Sequence, residues 1–421
     1  MPCGHYTCRH PATVRASPFP LALVSQNDRF SSADTAGMSQ RQVTVLLGFG
    51  QLLAWGSSFY LLAILAEPMA AGLALPRVWV YLCFSASLVM AAVLGPLGGQ
   101  LIDRHGGRPV LMAGNVVFAL ALLLMSQAQG GASLMLGWLL LGVAMPLGLY
   151  DAGFATAVRL FGAQARRSIV GITLIAGFAS SVSWPLTHWL EQRWDWRVAC
   201  QVWAVLHLTA GLALHARLPR VEVQSAVSPQ AASESAAAGT ASRRDLWLLA
   251  AVFACGGFVF ASLAAHLPRV LEAVGCTPAM AVAAASIVGA AQVAARLAEA
   301  GYLGRLPPMI SAWVASALHP LAVCVLLLFG PPAAFVFAAL HGAGVGLMTI
   351  VKGTLPLHLF GAAGFGRRAG ILEGPSRVIQ AASPVAFGVL LDRIGGDVIW
   401  VTGAVSLVAL AGLRLLSGRP A

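Results

Sequence analysis

About twelve separate stretches of this sequence are apolar over roughly twenty residues, the length a helix needs to cross ~30 Å of hydrocarbon at ~1.5 Å rise per residue. They fall near 43–66, 79–101, 109–128, 133–158, 169–190 and 198–216, and again near 246–271, 278–300, 309–329, 333–358, 369–391 and 398–416. Lipid offers the backbone no hydrogen-bond partners, so runs of this length are expected as helices that satisfy their own amides. Of the 421 residues, 58% are hydrophobic and only 10% charged. Soluble domains carry ~25% charged residues, which excludes a water-soluble enzyme. The expectation is an all-α membrane protein with twelve transmembrane helices in two six-helix, pseudo-symmetric halves.

The gaps between the runs set the organisation. Residues 1–42 read as an N-terminal tail, 43–216 as the first half, 217–245 as a linker, 246–416 as the second half and 417–421 as a C-terminal tail. The linker contains SAVSPQAASESAAAGTAS, which is too poor in large apolar side chains to bury a core. Net charge is +11, almost all of it arginine, with Lys352 the only lysine. The arginines lie in short gaps on one face of the predicted bundle, among them Arg104, Arg108, Arg159, Arg166, Arg167, Arg305, Arg367 and Arg368. The opposite gaps hold few arginines, mostly beside acids, as at Glu191 with Arg193 and Asp392 with Arg393. The pattern is that of membrane topology, not of a nucleic-acid groove, and it places both termini and the linker in the cytoplasm of an inner (plasma) membrane. PFPLALV within residues 1–37 is too short for a signal sequence, and Met38 is the expected translation start. The seven cysteines are dispersed without a CxxC pair, so neither a disulfide framework nor a metal site is expected.

The two halves echo each other. RLFGAQARRSIVG, from Arg159, joins the fourth and fifth runs; HLFGAAGFGRRAG, from His358, joins the tenth and eleventh. Pro185, Glu191 and Arg193 are likewise answered by Pro384, Asp392 and Arg393. Six-helix repeats of this kind suit alternating access about a midplane site. The gap after the second run reads Gly99-Gln-Leu-Ile-Asp103-Arg104-His-Gly106-Gly107-Arg108. This resembles the G-x-L-x-D-R-x-G-x-R loop of the major facilitator superfamily, a resemblance that extends over roughly residues 43–416. It implies a twelve-helix carrier in which Asp103 docks near the start of helix eleven. Gly99, Asp103, Arg104, Gly106 and Arg108 would then form a conformational gating motif bracing one face. A carboxylate at a helix N-terminus is stabilised by ~0.3–1 kcal/mol, and a contact present in one state alone biases the equilibrium.

Within the superfamily, drug antiporters carry an arginine motif on helix four and G-P-x-x-G-G on helix five. Here Trp138 stands in the arginine position, and Ser183-Trp184-Pro185-Leu186-Thr187-His188 keeps only the proline. The stretch Phe161…Arg166-Arg167…Gly171…Ala176-Gly177 is more similar to bacterial monocarboxylate-porter relatives. Gln292…Arg296 points the same way, although Gln292 replaces the acid those porters often carry.

Five charges stand out well inside predicted spans, away from their outer ends. At ~1.5 Å per residue from the arginine-rich ends, Asp151 lies about 12 Å deep, Lys352 roughly 10–12 Å, and Arg377 and Arg296 ~13 Å, with Glu373 one turn shallower. Each costs at least ~2.5 kcal/mol to insert and needs a reason. In one reading Asp151 takes a proton or cationic group while Lys352, Arg377 or Arg296 holds an anionic substrate through charge-assisted hydrogen bonds. In the other the charges cancel: Glu373 with Arg377 at i,i+4, Arg296 with Glu299 at i,i+3, and Asp151 with Lys352 across the bundle. Among the histidines, only His341 merits a coupling role.

The resulting expectation is a secondary active transporter of a small organic solute, its charges leaning towards an anion. It would work by alternating access, with proton coupling an option and no other cofactor. It would sit as a monomer in the bilayer, with a small-molecule substrate and no nucleic-acid partner. Efflux of a toxic amphiphile or metalloid is the rival within transport, and a membrane receptor the rival outside it. No nucleotide loop or HExxH cluster suggests an enzyme.

Overall fold

A computed structural model describes residues 38–220 and 242–417. The expected start at Met38, the tail before it and most of the linker lie at or outside the edges of this range. Among the described residues the chain is helical throughout and makes twelve passes. In the first half these are α1 (Gln40–Gly56, continued as Phe59–Gly72), α2 (Arg77–His105), α3 (Gly107–Ser126), α4 (Gly131–Gly148, continued as Tyr150–Phe161), α5 (Ala165–Ala176, continued as Ala179–Arg193) and α6 (Trp196–Leu206, through a π turn to Leu212–Ala216). The second half comprises α7 (Arg243–Ala273), α8 (Pro278–Gly301), α9 (Pro308–Phe329), α10 (Ala334–Phe360), α11 (Phe365–Ile394) and α12 (Val398–Ser417).

Ordinary end signals fix many of these boundaries. Ser39 and Ser242 cap α1 and α7 in reciprocal boxes with Gln42 and Asp245. Thr277 caps α8, whose first residue is Pro278. The internal repeat has a backbone cause: Gly162 and Gly361, the glycines of the two LFG triplets, end α4 and α10 with φ of +53° and +73°. Side chains with a Cβ rarely adopt that conformation, so each half turns at the same point by the same residue.

Several helices are interrupted where the apolar runs gave no warning. α1 breaks at Ser57–Ser58, and Ser58 donates to the carbonyl of Ala54. Opposite the break, α6 contains a π turn at His207–Gly211. The two irregularities are joined by a buried polar chain. Ser57 Oγ lies 2.7 Å from His207 Nε2, His207 Nδ1 2.8 Å from Asn115 Oδ1, and Asn115 Nδ2 2.6 Å from His215 Nδ1. Because the Asn115 amide nitrogen also donates to Leu111 O, its orientation fixes which histidine nitrogens accept. Freed backbone groups in a membrane helix persist only where protein partners meet them. α4 is broken at Leu149, three residues after Pro146, which tilts Tyr150 and Asp151 towards the interior.

Each half has its own apolar core. The first is built around Trp138, Trp203, Phe118 and Met125; the second, around Phe337, Phe387, Val270 and Leu326. The halves meet along α2 and α11, where Gly95 and Gly99 face Gly370 and Gly366. A Cβ at Gly99 would overlap the Gly366 carbonyl, and one at Gly370 the backbone of Gly95. Two G-x-x-x-G pairs therefore let the backbones touch.

Candidate functional site

Four of the charges placed within the membrane, Asp151, Lys352, Glu373 and Arg377, line one cavity, while Arg296 lies behind its wall against the lining residue Thr349. The cavity is bounded by Trp55 and Phe59 of α1, Tyr150, Asp151 and Phe154 of α4, and by faces of α7, α9, α10, α11 and α12. Residues 341, 344, 345, 348, 349 and 352 of α10 all line it, the i,i+3,i+4 pattern of one helix face. The space between its walls is about 1370 Å³, open mouth included.

The break in α4 puts Asp151 where it accepts a hydrogen bond from Arg377 of α11, an ion pair between the halves. Arg377 also donates to Ala91 O of α2 at 3.2 Å. One turn away, Lys352 Nζ of α10 donates to Glu373 Oε2 of α11 at 2.8 Å and lies 3.5 Å from Ser376 Oγ. The second Glu373 oxygen, Oε1, is buried without a partner. The expected Asp151–Lys352 pair and the i,i+4 pair of Glu373 with Arg377 are therefore both corrected. Each cation takes a carboxylate on another helix, because the inward-facing break of α4 presents Asp151 to Arg377 and leaves Glu373 to Lys352.

The i,i+3 pair of Arg296 with Glu299 is also replaced. Glu299, fully buried, receives Arg166 of α5 at 3.1 Å and the Ser311 hydroxyl at 2.9 and 3.0 Å. Arg166 in turn donates to Leu306 O at 2.7 Å, tying the two halves at the arginine-rich end. Arg296 is left with neutral partners, Gln292 Oε1 at 3.3 Å and the cavity-lining Thr349 Oγ1 at 3.5 Å. Among the described residues it is a buried cation with no carboxylate within 4 Å, and its Nε has no partner.

At the same end, the Asp103 carboxylate accepts from the backbone N–H groups of Gly366 (3.0 Å) and Arg367 (2.9 Å), the first turn of α11. Arg159 donates to the Asp103 carbonyl. Gly106 adopts φ +83°, ψ 163°, a region open in practice to glycine alone, and so ends α2 and starts α3 at once. Arg108 donates to Leu218 O at 3.3 Å within the first half, whereas Arg104 is exposed. Of these residues the sequence marked Gly99 as part of the gating motif, Arg159 and Arg166 only as topology and repeat markers and Glu299 only as a partner for Arg296, while Gly95, Gly366 and Gly370 were not singled out. The G-x-x-x-G spacing of Gly95/Gly99 and Gly366/Gly370 was the available signal.

The Major Facilitator Superfamily model matches residues 47–350. The chain belongs to the major facilitator superfamily. This superfamily member is 31% identical over 347 residues to Monocarboxylate transporter 11 of Homo sapiens, covering 78% of this chain and 65% of the human protein, so it spans about two thirds of that relative's length. It is 25% identical over 382 residues to Monocarboxylate transporter 13 of Rattus norvegicus, covering 87% of this chain and 76% of the relative. Its fold is similar to the human organic anion transporter MFSD10 (TETRAN), at TM-score 0.68, 16% identity, and 89% and 100% coverage of the two chains. It is also similar to FucP in the outward conformation, at TM-score 0.70, 13% identity, and 89% and 98% coverage. The chain is thus a multi-pass membrane protein of the major facilitator superfamily with monocarboxylate-transporter relatives.

Proposed function

We propose that this transporter carries a small organic anion by alternating access, with Arg296 as the anchor for the anionic group. One observation carries the reading. Asp151 with Arg377, Lys352 with Glu373 and Arg166 with Glu299 cancel in pairs, and Arg296 alone of these cations has only neutral partners. A guanidinium held at the cavity edge with unused donors suits a carboxylate, which accepts two parallel hydrogen bonds. The similarity to a monocarboxylate transporter and the resemblance in fold to an organic anion transporter support the same substrate class. The unpartnered Glu373 oxygen supports proton coupling, since Oε1 is a site that a proton can occupy while Oε2 keeps its bond to Lys352.

In this reading the arginine-rich face lies in the cytoplasm of the inner membrane, with both termini and the linker, and the carrier works as a monomer. The contacts of Asp103 with α11 and of Arg166 with Glu299 then close the cytoplasmic end, so the state described faces outward. Within the gating motif Gly99, Asp103, Arg104, Gly106 and Arg108, Gly99 and Asp103 hold that closure against α11 and Gly106 shapes the turn behind them, and the contacts release when the cavity opens inward.

The test is uptake of radiolabelled monocarboxylates, dicarboxylates, amines and sugars into proteoliposomes, with and without a pH gradient. Wild type is expected to move carboxylates and Arg296→Ala to lose at least ~90% of that flux, because a charge-assisted hydrogen bond contributes roughly 1.5–3 kcal/mol. Transport confined to amines or sugars, indifferent to Arg296→Ala, would sink the proposal.

A further inference from the structure

The cavity does not stop at the interface between the halves. Ser316 and His319 of α9 and Ser406 of α12 line it together with His341 of α10, so it continues as a recess into the second half. These four polar side chains are all more than nine-tenths buried. The two histidines face each other, His341 Nδ1 and His319 Nδ1 being 3.0 Å apart. Phe337 packs against both rings, stacked on His341 and edge-on to His319. Yet His319 Nε2 and Ser316 Oγ, one turn apart on the same face of α9, have no hydrogen-bond partner. Buried polar atoms without protein partners on a cavity wall need a partner from within the cavity, and a ligand's polar group can be that partner.

The chemistry of the pair limits what the ligand presents. A hydrogen bond between two Nδ1 atoms requires one protonated and one bare nitrogen, so in the neutral pair the two outer nitrogens are always one donor and one acceptor. Exchanging those roles moves no ring but takes two protons, the shared one across the Nδ1 pair and one passed at the outer nitrogens, which a hydroxyl can relay because it both donates and accepts. Such a pair meets a hydroxyl, which donates and accepts, or a carbonyl, which needs only the donor. It offers no charge to a second carboxylate. Between this recess and Thr349, the cavity-wall contact of Arg296, lie eight residues of α10, about 12 Å of rise, which the side chains themselves shorten. The α10 wall in between is Gly344, Val345 and Met348, and Val259 and Phe260 of α7 line the same cavity.

We infer that His319, His341 and Ser316 form a second, uncharged subsite that binds a hydroxyl or carbonyl oxygen at the far end of the substrate. Resting on the assignment of the anion to Arg296, this defines the substrate class. It is an acid with a carboxylate at one end, an apolar body several carbons long, and an alcohol, phenol or ketone oxygen at the other.

A matched pair of probes tests it: 3-(4-hydroxyphenyl)propanoate and 3-phenylpropanoate, which differ by one hydroxyl. Binding to the full chain in lipid nanodiscs is measured by isothermal titration calorimetry, with empty nanodiscs subtracted. Wild type is expected to prefer the hydroxylated acid by roughly tenfold or more, the worth of one good neutral hydrogen bond. His319→Leu is expected to abolish the preference while leaving the affinity for 3-phenylpropanoate within about twofold. Ser316→Ala, which removes one oxygen and keeps the packing, reduces the preference and covers the case in which the histidine variant misfolds. Equal binding of the two acids by wild type, both still lost in Arg296→Ala, overturns the subsite and leaves the anion site standing. A hydroxyl preference that survives His319→Leu and Ser316→Ala also overturns it. A preference that His319→Leu removes, together with full binding of the neutral alcohol 3-(4-hydroxyphenyl)propan-1-ol and indifference to Arg296→Ala, supports the subsite and overturns the anion site instead. Failure to bind either acid overturns both.

Discussion

Asp151 in the first half and Arg377 in the second form an ion pair inside the membrane, and Arg377 simultaneously holds the Ala91 carbonyl of α2. Three helices from two halves therefore converge on one guanidinium. Both side chains are nearly buried, at 14% and 10% exposure, so water screens the pair little.

Asp151→Asn is expected to destabilise the protein by about 3–5 kcal/mol, because it leaves Arg377 as an uncompensated buried charge. Arg377→Gln in the same background removes that charge and is expected to recover most of the melting temperature in scanning fluorimetry, while transport stays lost. Recovery of transport along with stability would make the pair purely structural.

Glu373→Gln keeps a hydrogen-bond acceptor for Lys352 and removes the group with the unpartnered oxygen. Solute counterflow at equal pH is expected to persist, whereas accumulation driven by a pH gradient is expected to fall to background. Gradient-driven accumulation at wild-type rates would move proton coupling away from Glu373.

The α2/α11 crossing tolerates no added methyl. Gly99→Ala or Gly366→Ala drives a Cβ into the opposing backbone, and overpacking of this kind costs ~1–3 kcal/mol. The penalty falls on the state in which these helices touch. Spin labels at exposed sites on the arginine-rich ends of α2 and α11 are therefore expected to show, by electron double resonance, a longer distance population than in wild type. Asp103→Asn is expected to shift the same population less, since it weakens two hydrogen bonds without a clash. Unchanged distances in both variants would remove this crossing from the gate.

Asn115 joins two histidines and a helix carbonyl in the first half. Asn115→Leu leaves His207 Nδ1 without its partner and is expected to lower stability by about 1–3 kcal/mol, read as a drop in melting temperature. If the melting temperature does not fall, the chain Ser57–His207–Asn115–His215 does not hold the α1 break to the α6 π turn.

The twelve passes and their pairing into halves were legible in the sequence because lipid leaves the backbone one option. Apolar length and the LFG glycines were sufficient signals. The breaks at Ser57–Ser58 and Leu149 were not, since His207 and Asn115, far along the chain, supply the partners that make the first tolerable. The charged residues were legible as a set but not as pairs. Helical spacing made Glu373–Arg377 and Arg296–Glu299 the nearest neighbours. Long side chains reach other helices as easily, and the direction of Tyr150–Phe161 after its break decided for Asp151. His319 carried no periodic signal of its own, and only folding shows that it meets His341.

The cancelled pairs around the cavity have an electrical consequence. In the proposed cycle, an empty carrier whose described interior leaves Arg296 unbalanced moves a positive charge when it reorients, and membrane voltage acts on it by roughly 2.3 kcal/mol per 100 mV for a full traverse. A carboxylate on that arginine removes the charge, and a proton on Glu373 restores one at Lys352. Voltage would then bear on the vacant and the fully loaded protein alike, and least on one that holds the anion without its proton.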